Sequence, residues 1–556
     1  MCGIAGVLGL RPGPAETLVR RLNQAQRHRG PDHHVVARVG AVTLGNTRLA
    51  VQDPTPAGNQ PFTSTDGRFT CVFNGEVYNH RQLVDRYSLA VRTRCDGEVI
   101  PHLWAKLGPA AVAELRGMFA IALWDSLTDR LYLARDAFGT KPLYWRELPS
   151  GALVFASEVR PLAGAGPSPR VSPAALARFL HLGAMGSGQS PFFEVNALPP
   201  NTLATFTTDG PLDLGPVLPS APPGAPMPLG EALTDSVRLH LGADVPTATL
   251  LSSGADSAAI CAVSRWMGRD LECLTVAAEG AGDERIGAER TARRYGHRLQ
   301  MVPVALGEAD AAGFFTAMQR PSIDGLNTYL ISRAVRDAGF KVALSGLGGD
   351  EVVGGYSHLQ HLRLLPALRP DHLQREVMPA GLAAALTGAA PPATMAGPGW
   401  ASWGARAAAE VALYLQPILL ADADTFSMAC SVELRVPFVD TGVIGAALGV
   451  AAQAAKPPGK SAVGRALGDT YLRWLAEQRK RRFRMPMPKY LAGPLAPVLA
   501  AASEPTAPVW SVLDRSVAEQ AGLTPLRPQA RWAPSWSVAV LNTWLTTLPS
   551  PTGHDT

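Results

Sequence analysis

The stretch Thr247-Ala-Thr-Leu-Leu-Ser-Ser-Gly-Ala-Asp-Ser257 decides how the chain is read. A short apolar run, Thr247 to Leu251, gives way to small polar residues and then to an apolar helical pattern over Ala258 to Met267. That order is strand, tight loop, helix. Gly254 and its small neighbours let backbone N–H groups approach a ligand closely. The N-terminus of the following helix faces the same spot, which favours phosphate. Asp256 puts a carboxylate into that cradle, where it would repel phosphate unless a cation stands between them. Mg²⁺ is the natural one, since it bridges carboxylate and phosphate oxygens. Alone, the stretch also fits an ordinary βα turn.

A second strand end narrows the choice. Lys341-Val-Ala-Leu-Ser345 reads as a buried strand and runs into Gly346-Leu-Gly-Gly-Asp-Glu-Val-Val-Gly-Gly-Tyr356. Ligands of open parallel sheets bind at the carboxyl ends of the strands. Asp256 and Asp350 on two such ends can share one magnesium and hold a nucleotide. Strands and helices alternate here: Glu231–Leu241 helix, Thr247–Leu251 strand, Leu271–Ala277 strand, Asp283–Tyr295 helix, Gln300–Val304 strand, Asn327–Ala338 helix. That spacing predicts an α/β, doubly wound parallel sheet.

Ser252-Ser-Gly-Ala-Asp-Ser257 resembles the S-G-G-x-D-S pyrophosphatase loop of ATP-dependent adenylating enzymes, with Ser253 in place of the first glycine. A serine fits there only with ordinary backbone torsions. Ser345-Gly-Leu-Gly-Gly-Asp-Glu351 with Gly354-Gly-Tyr356 resembles the matching segment of glutamine-dependent asparagine synthetases, as does Ala421 to Asp440, which ends in an E-x-R-V-P-F-x-D pattern. The resemblance implies an ATP site at Leu251, Ser252, Ser253, Gly254, Asp256, Ser257, Val276, Ser345 and Gly346. It implies Mg²⁺ on Asp256 and Asp350, and catalytic Lys460 neutralising the phosphates. From composition alone Leu251 and Val276 read as core, and Glu433 and Arg435 as a structural pair.

The first part of the chain carries a different chemistry. With Met1 removed, Cys2 would hold both a thiol and a free α-amine. An amine of pKa about 7.7–8.0 can take the thiol proton near neutral pH. Arg29-Gly-Pro-Asp32, Arg48-Leu-Ala-Val51, Asn74-Gly-Glu76, Asp96 and Arg135 to Tyr144 follow. Asn74 and Gly75 can offer N–H donors to an oxyanion. Arg48 can clamp a carboxylate with its fork, and Glu76 and Asp96 can hold an ammonium. Together they suit a free amino acid with an amide side chain, glutamine.

The set resembles a class II glutamine amidotransferase domain, an N-terminal nucleophile fold. The resemblance implies Cys2 as nucleophile, Asn74 and Gly75 as oxyanion hole, and Arg48, Leu49, Val51, Asn74, Gly75, Glu76 and Asp96 around glutamine. Arg29, Asp32, Arg135 and Lys141 read better as ion pairs and loop anchors. Short strand patterns at Ala41–Leu44, Phe69–Phe73, Met118–Trp124, Arg130–Arg135 and Leu153–Ala156, with helices at Ala15–Arg27 and Gly97–Leu107, predict stacked antiparallel sheets, an α+β domain.

The expected order is a glutaminase domain at 1–209, a proline-rich linker at 210–230, a synthetase domain at 231–548 that turns helical beyond Tyr356, and a tail at 549–556. Residues 388–399 read as a mobile loop. Arg479 to Arg484 reads as a solvated basic run or a flap over phosphates. The chain has 556 residues, 47% hydrophobic and 17% charged, enough for at least two cores. A net charge of +5 without a basic stripe argues against nucleic acid. Six cysteines without C-x-x-C spacing suit a reducing cytosol. No apolar run is long enough to span a membrane, and no signal-peptide pattern opens the sequence. A homodimer is the family expectation.

The expected reaction joins ammonia from glutamine to an acid activated as its adenylate, most simply aspartate to asparagine. Leu347 stands where asparagine synthetases carry a glutamate that assists amide formation, and Gly349 where serine is usual. The same chemistry on another carboxylate, in specialised metabolism or cell-envelope modification, is the alternative. A non-catalytic scaffold would not need Cys2, Arg48, Asn74, Asp96, Asp256 and Asp350 together.

Overall fold

The structure is a computed structural model that describes residues 2–217, 227–278, 284–353, 380–388, 403–454, 458–478, 485–523, 526 and 532–548. Twelve short strands build the first domain: β1 (Cys2–Leu8), β2 (His33–Val39), β3 (Val42–Arg48), β4 (Phe62–Thr63), β5 (Phe69–Val77), β6 (Gly117–Asp125), β7 (Arg130–Arg135), β8 (Tyr144–Glu147), β9 (Leu153–Ala156), β10 (Asn196–Ala197), β11 (Thr202–Thr207) and β12 (Gly210–Pro216). They form two antiparallel six-stranded sheets, in the orders β10-β8-β9-β1-β3-β2 and β12-β11-β7-β6-β5-β4.

Strand periodicity explains the layering. In β6, Ala120, Ala122 and Trp124 face the space between the sheets, where they meet Ile4, Leu44 and Phe155, while Phe119, Ile121 and Leu123 face outward. Outward residues are covered by Val99, Leu103 and Trp104 of the helix Val99–Leu107. On the other sheet, Ala5 and Val7 of β1 pack under Leu18, Val19 and Leu22 of the helix Pro14–Ala25. The four-layer domain is the stacked-sheet α+β fold expected.

The expected linker begins too early. Gly210–Pro216 pairs with β11 as the edge strand β12, so the first domain extends through it. Prolines at 211 and 216 are tolerated there because an edge strand has one unpaired side. Residues 218–226 lie outside the described residues, and the next helix starts at Leu229.

The second domain is a five-stranded parallel sheet. Its strands are β13 (Thr247–Leu250), β14 (Glu272–Ala278), β15 (Arg298–Val304), β16 (Val342–Leu344) and β17 (Glu433–Arg435), in the order β15-β14-β13-β16-β17. Both faces are covered, as a doubly wound sheet requires. Neighbours on one strand point into different cores: Cys273 joins the helices 229–240 and 255–266, and Leu274 joins those at 308–317 and 326–337. The strand order reverses between β13 and β16, so the loops after Leu251 and Ser345 emerge side by side. The described part beyond residue 403 is mainly helical, as expected. The loop expected at 388–399 falls almost wholly, and the run Arg479 to Arg484 and the tail from 549 wholly, outside the described residues. After that run, Met487–Ala492 is a helix with Met487 and Leu491 buried. No helix among the described residues is long and apolar enough to cross a membrane.

The domains share a buried boundary. Leu49, Val51 and Met118 of the first pack with Val342 and Met428 of the second. Arg29, Asp424 and Lys141 form a buried ionic triad across it, with N–O distances of 2.8 and 3.1 Å.

Candidate functional site

Cys2 opens the central strand β1 and is 5% exposed. Its backbone N–H donates to Asn74 Oδ1 at 3.1 Å, and Gln60 Nε2 donates to its Sγ at 3.5 Å. Gln60 is itself fixed by both ends of its amide to the backbone of Phe73. Asn74 Nδ2 is buried and has no hydrogen-bond partner among the described residues. An orphaned donor next to a thiol is costly unless a ligand takes it up, and an oxyanion would do so. Gly75 follows with φ +154°, and a Cβ there would lie 2.0 Å from Met118 O. Only glycine lets β5 run this close to β6.

Glu76 lies on this strand and Asp96 beside it, both 2% exposed. Asp96 Oδ2 accepts the Val77 N–H at 2.7 Å. Burial first, and then neighbouring carboxylates, push the Glu76 carboxyl well up; burial pushes Asp96 up as well. A pocket that disfavours its own ionised carboxyls gains most from an incoming ammonium. The Arg48 fork is already engaged: its two Nη atoms donate to the carbonyls of Gln52, Asp53 and Thr55 and to Asn59 Oδ1, at 2.5–3.0 Å. In this conformation Arg48 shapes the loop that follows it. Leu49 and Val51 are buried at the domain boundary.

The anchors expected from sequence are anchors. Arg29 donates to Cys2 O at 3.2 Å besides pairing with Asp424 and Glu158. Arg135 donates to four backbone carbonyls. Asp32 accepts from Lys341 Nζ at 2.9 Å.

At the other site the two loops interlock. Ser257 Oγ accepts the Ser252 N–H at 3.2 Å, and Ser252 Oγ accepts the Gly254 N–H at 3.1 Å. The helix Ala255–Trp266 starts there. Ser253 is not among the residues with positive φ, so the serine meets the torsional condition set above. Room for it comes from Gly287, whose Cβ, if present, would lie 2.5 Å from that of Ser253. Gly346 packs against the Ser257 N–H. Lys460 Nζ lies 2.6 Å from Asp256 Oδ2 and 3.0 Å from Asp350 Oδ1. Burial would lower its proton affinity, but the two carboxylates overcome that and raise it. The sequence brings Asp256, Asp350 and Lys460 to one point from three distant segments.

Leu251 is core, 2% exposed, with its N–H on Leu274 O; Val276 is half-buried against the larger core. Leu347 is half-buried between both cores, its N–H on Ser345 Oγ at 3.2 Å. Sequence reasoning missed Gln60, which no motif announces. It also missed what Glu433 and Arg435 touch: Arg435 Nη2 lies 3.1 Å from Glu76 Oε1, so the pair reaches the first domain.

Residues 1–212 match the glutamine amidotransferase domain family, and residues 229–546 match the asparagine synthase family. A Triphysaria versicolor protein named asparagine synthetase [glutamine-hydrolyzing] is 31% identical over 384 residues, 64% of this chain and 60% of that one. The chain thus spans about three fifths of the length of that relative. A Mycobacterium bovis protein bearing a provisional form of the name is 29% identical over 582 residues, 88% of each chain. Among solved structures, the allosteric regulatory enzyme of purine biosynthesis aligns with 14% identity and a TM-score of 0.30, covering 55% of this chain and 82% of that one.

Proposed function

The chain belongs to the asparagine synthase family and carries a glutamine amidotransferase domain before it, and on that premise we propose that it forms an amide, taking nitrogen from glutamine and activating a carboxylic acid with ATP. The acid that fits the family most simply is aspartate. The observation that carries the reading is the lysine between two loop aspartates, Lys460 with Asp256 and Asp350, at the switch point of the parallel sheet.

In the first domain, Cys2 Sγ attacks the glutamine amide carbon. The Asn74 amide receives the oxyanion, with Gly75 beside it. Glu76 and Asp96 hold the ammonium. Gln60 steadies the thiol, and its orientation is fixed by Phe73. Ammonia released at so buried a thiol would need a route sheltered from water, and the boundary it has to cross carries the buried apolar side chains of Met118, Val342 and Met428.

In the second domain, the loop N–H groups at Gly254 and the helix N-terminus after it bind the phosphates. Asp256 and Asp350 meet within reach of one cation, which Lys460 Nζ now marks. Two carboxylates and phosphate oxygens are a hard oxygen set that suits Mg²⁺. Bound there, Mg²⁺ would neutralise the phosphates as pyrophosphate leaves. With a metal in that place the Lys460 ammonium would turn from the carboxylates to the phosphate oxygens and add a second positive charge there. Leu347 brings no proton acceptor to its loop, which supports the second reading, the same chemistry on an acid other than aspartate.

Two assays decide between these readings. Cys2→Ala should abolish glutamate release from glutamine while ammonium salts still drive pyrophosphate release from ATP. Equal glutamate release from wild type and variant sinks the glutaminase half. Pyrophosphate release that no panel acid stimulates sinks the synthetase half, and stimulation by an acid other than aspartate selects the second reading.

A further inference from the structure

Strand β17 serves both domains. Its backbone closes the nucleotide side: Glu433 N–H donates to Lys341 O at 2.7 Å, and Arg435 O accepts the Ser345 N–H at 2.8 Å, just where the second loop begins. The Arg435 side chain goes the other way, across the domain boundary, and both it and the Glu433 side chain are fully buried. Arg435 Nε donates to Glu433 Oε1 at 2.5 Å, and Nη1 donates to the carbonyls of His240 and Gly242 at 2.8 and 2.6 Å. Nη2 faces Glu76 Oε1 at 3.1 Å, and the guanidinium carbon lies 5.7 Å from the centroid of the Tyr78 ring. The other Glu76 oxygen accepts from Gln52 Nε2 at 3.4 Å, whose amide is tied to Gly242 O at 2.8 Å. Thus Glu76, two residues from Asn74, is held on one side by Arg435 of the second domain and on the other by Gln52, itself tied to the second domain at Gly242.

A buried carboxylate without a cation is unstable in that form. Arg435 is the nearest cation to Glu76, and Glu433 the nearest anion to Arg435. We propose that Arg435 and Glu433, carried by the synthetase half, are positioning residues of the glutamine site: Arg435 orients Glu76 toward the substrate ammonium, and Glu433 holds Arg435 in place. This rests on the reading of Glu76 and Asp96 as the ammonium pocket. It makes glutamine affinity depend on the strand whose backbone holds the nucleotide loop.

The test is glutamate release from glutamine by the full-length chain without ATP, for wild type, Arg435→Met, Arg435→Lys and Glu433→Gln. A positioning role in substrate binding raises KM with little change in kcat. Arg435→Met should raise the glutamine KM about tenfold or more, and Arg435→Lys less, with kcat moving by less than about threefold. On the same preparations, the ratio of glutamine-driven to ammonia-driven pyrophosphate release at fixed low glutamine should fall. Glu433→Gln, which keeps shape and volume, should raise KM in the same direction and serves if the methionine variant does not fold. A glutamine KM within twofold of wild type in Arg435→Lys and Glu433→Gln overturns the inference. So does an equal loss of glutamine-driven and ammonia-driven turnover in all variants, which marks a role in folding alone. Wild type that releases no glutamate at all removes the glutaminase reading itself, a different failure.

Discussion

Replacing Asp424 with asparagine tests what holds the two domains together. Asp424 Oδ2 lies 2.8 Å from Arg29 Nη2 and Oδ1 lies 3.1 Å from Lys141 Nζ, and all three side chains are 1–2% exposed. Burial works against every charge here. It pushes Lys141 down, while the two cations hold the Asp424 carboxyl below its usual range despite burial. Asparagine keeps the shape but removes the charge. Arg29 retains Glu158 at 3.4 Å, whereas Lys141 loses the one carboxylate its ammonium pairs with among the described residues. Breaking a buried pair from one side costs about 3–5 kcal/mol. Lys141 can shed its proton instead, so the lower end, about 3 kcal/mol, is the expected loss. That is a large share of the roughly 5–15 kcal/mol that holds a folded domain. Urea unfolding followed by tryptophan fluorescence at pH 7 measures it. Because the folded carboxyl titrates below its unfolded value of 3.8, the contribution is present above about pH 4 and is lost as pH falls through the lower folded value. Wild type and variant should therefore converge in acid. Adding Lys141→Met to Asp424→Asn removes the stranded ammonium and should recover part of the loss. A cost under about 1 kcal/mol at neutral pH, or no recovery in the double variant, refutes the reasoning.

Lys460→Met takes the ammonium from between Asp256 and Asp350. ATP-dependent pyrophosphate release should fall by about 10²–10³-fold, the usual loss of one charge-stabilising donor, and a change under tenfold contradicts the assignment. Asp422 shows the opposite titration to Asp424. Burial first, then Asp324, pushes its carboxyl up to about 7, although Ser322 Oγ donates to it at 2.6 Å. A raised folded value means that stability is fullest below pH 4 and declines as pH rises toward 7, by about 1.4 kcal/mol per unit at most. Asp422→Asn lacks that slope, so thermal melting should find it more stable than wild type at pH 8 and no better at pH 4. An equal gain at both pH values would refute this.

The parts legible in the sequence were those with local signals. The strand-loop-helix at 247–266 announces itself by composition, and the strands Arg130–Arg135 and Leu153–Ala156 fall where alternation puts them. β1 carries Cys2 yet escaped notice, because Cys-Gly-Ile-Ala-Gly-Val-Leu has two glycines and no polar alternation. It is buried on both faces and so has nothing polar to show. β17 is only three residues long, between a helix and Pro437, too short for any period. Its meaning lies in contacts with Glu76 and His240, which are 359 and 195 positions away in the chain. No local pattern encodes such pairs. The Arg29–Asp424 pair, 395 positions apart, is hidden for the same reason.

The two departures in the second loop have different physical standing. A Cβ at position 349 would lie 2.5 Å from Asp256 Cγ and 2.6 Å from its Oδ1, so the serine usual there would displace the very carboxylate that meets Lys460. Gly349 is therefore a condition for this arrangement of Asp256, and the two positions form one unit. Leu347 is under no such constraint. It is half-buried, its N–H is satisfied by Ser345, and its side chain lies on the apolar seam between the cores. A carboxylate placed on that seam would lose solvation, and the cation at this loop, Lys460, is already shared by Asp256 and Asp350. Position 347 thus contributes packing and no ionisable group to its loop, and in the proposed reaction a proton acceptor for nitrogen attack would have to come from another segment.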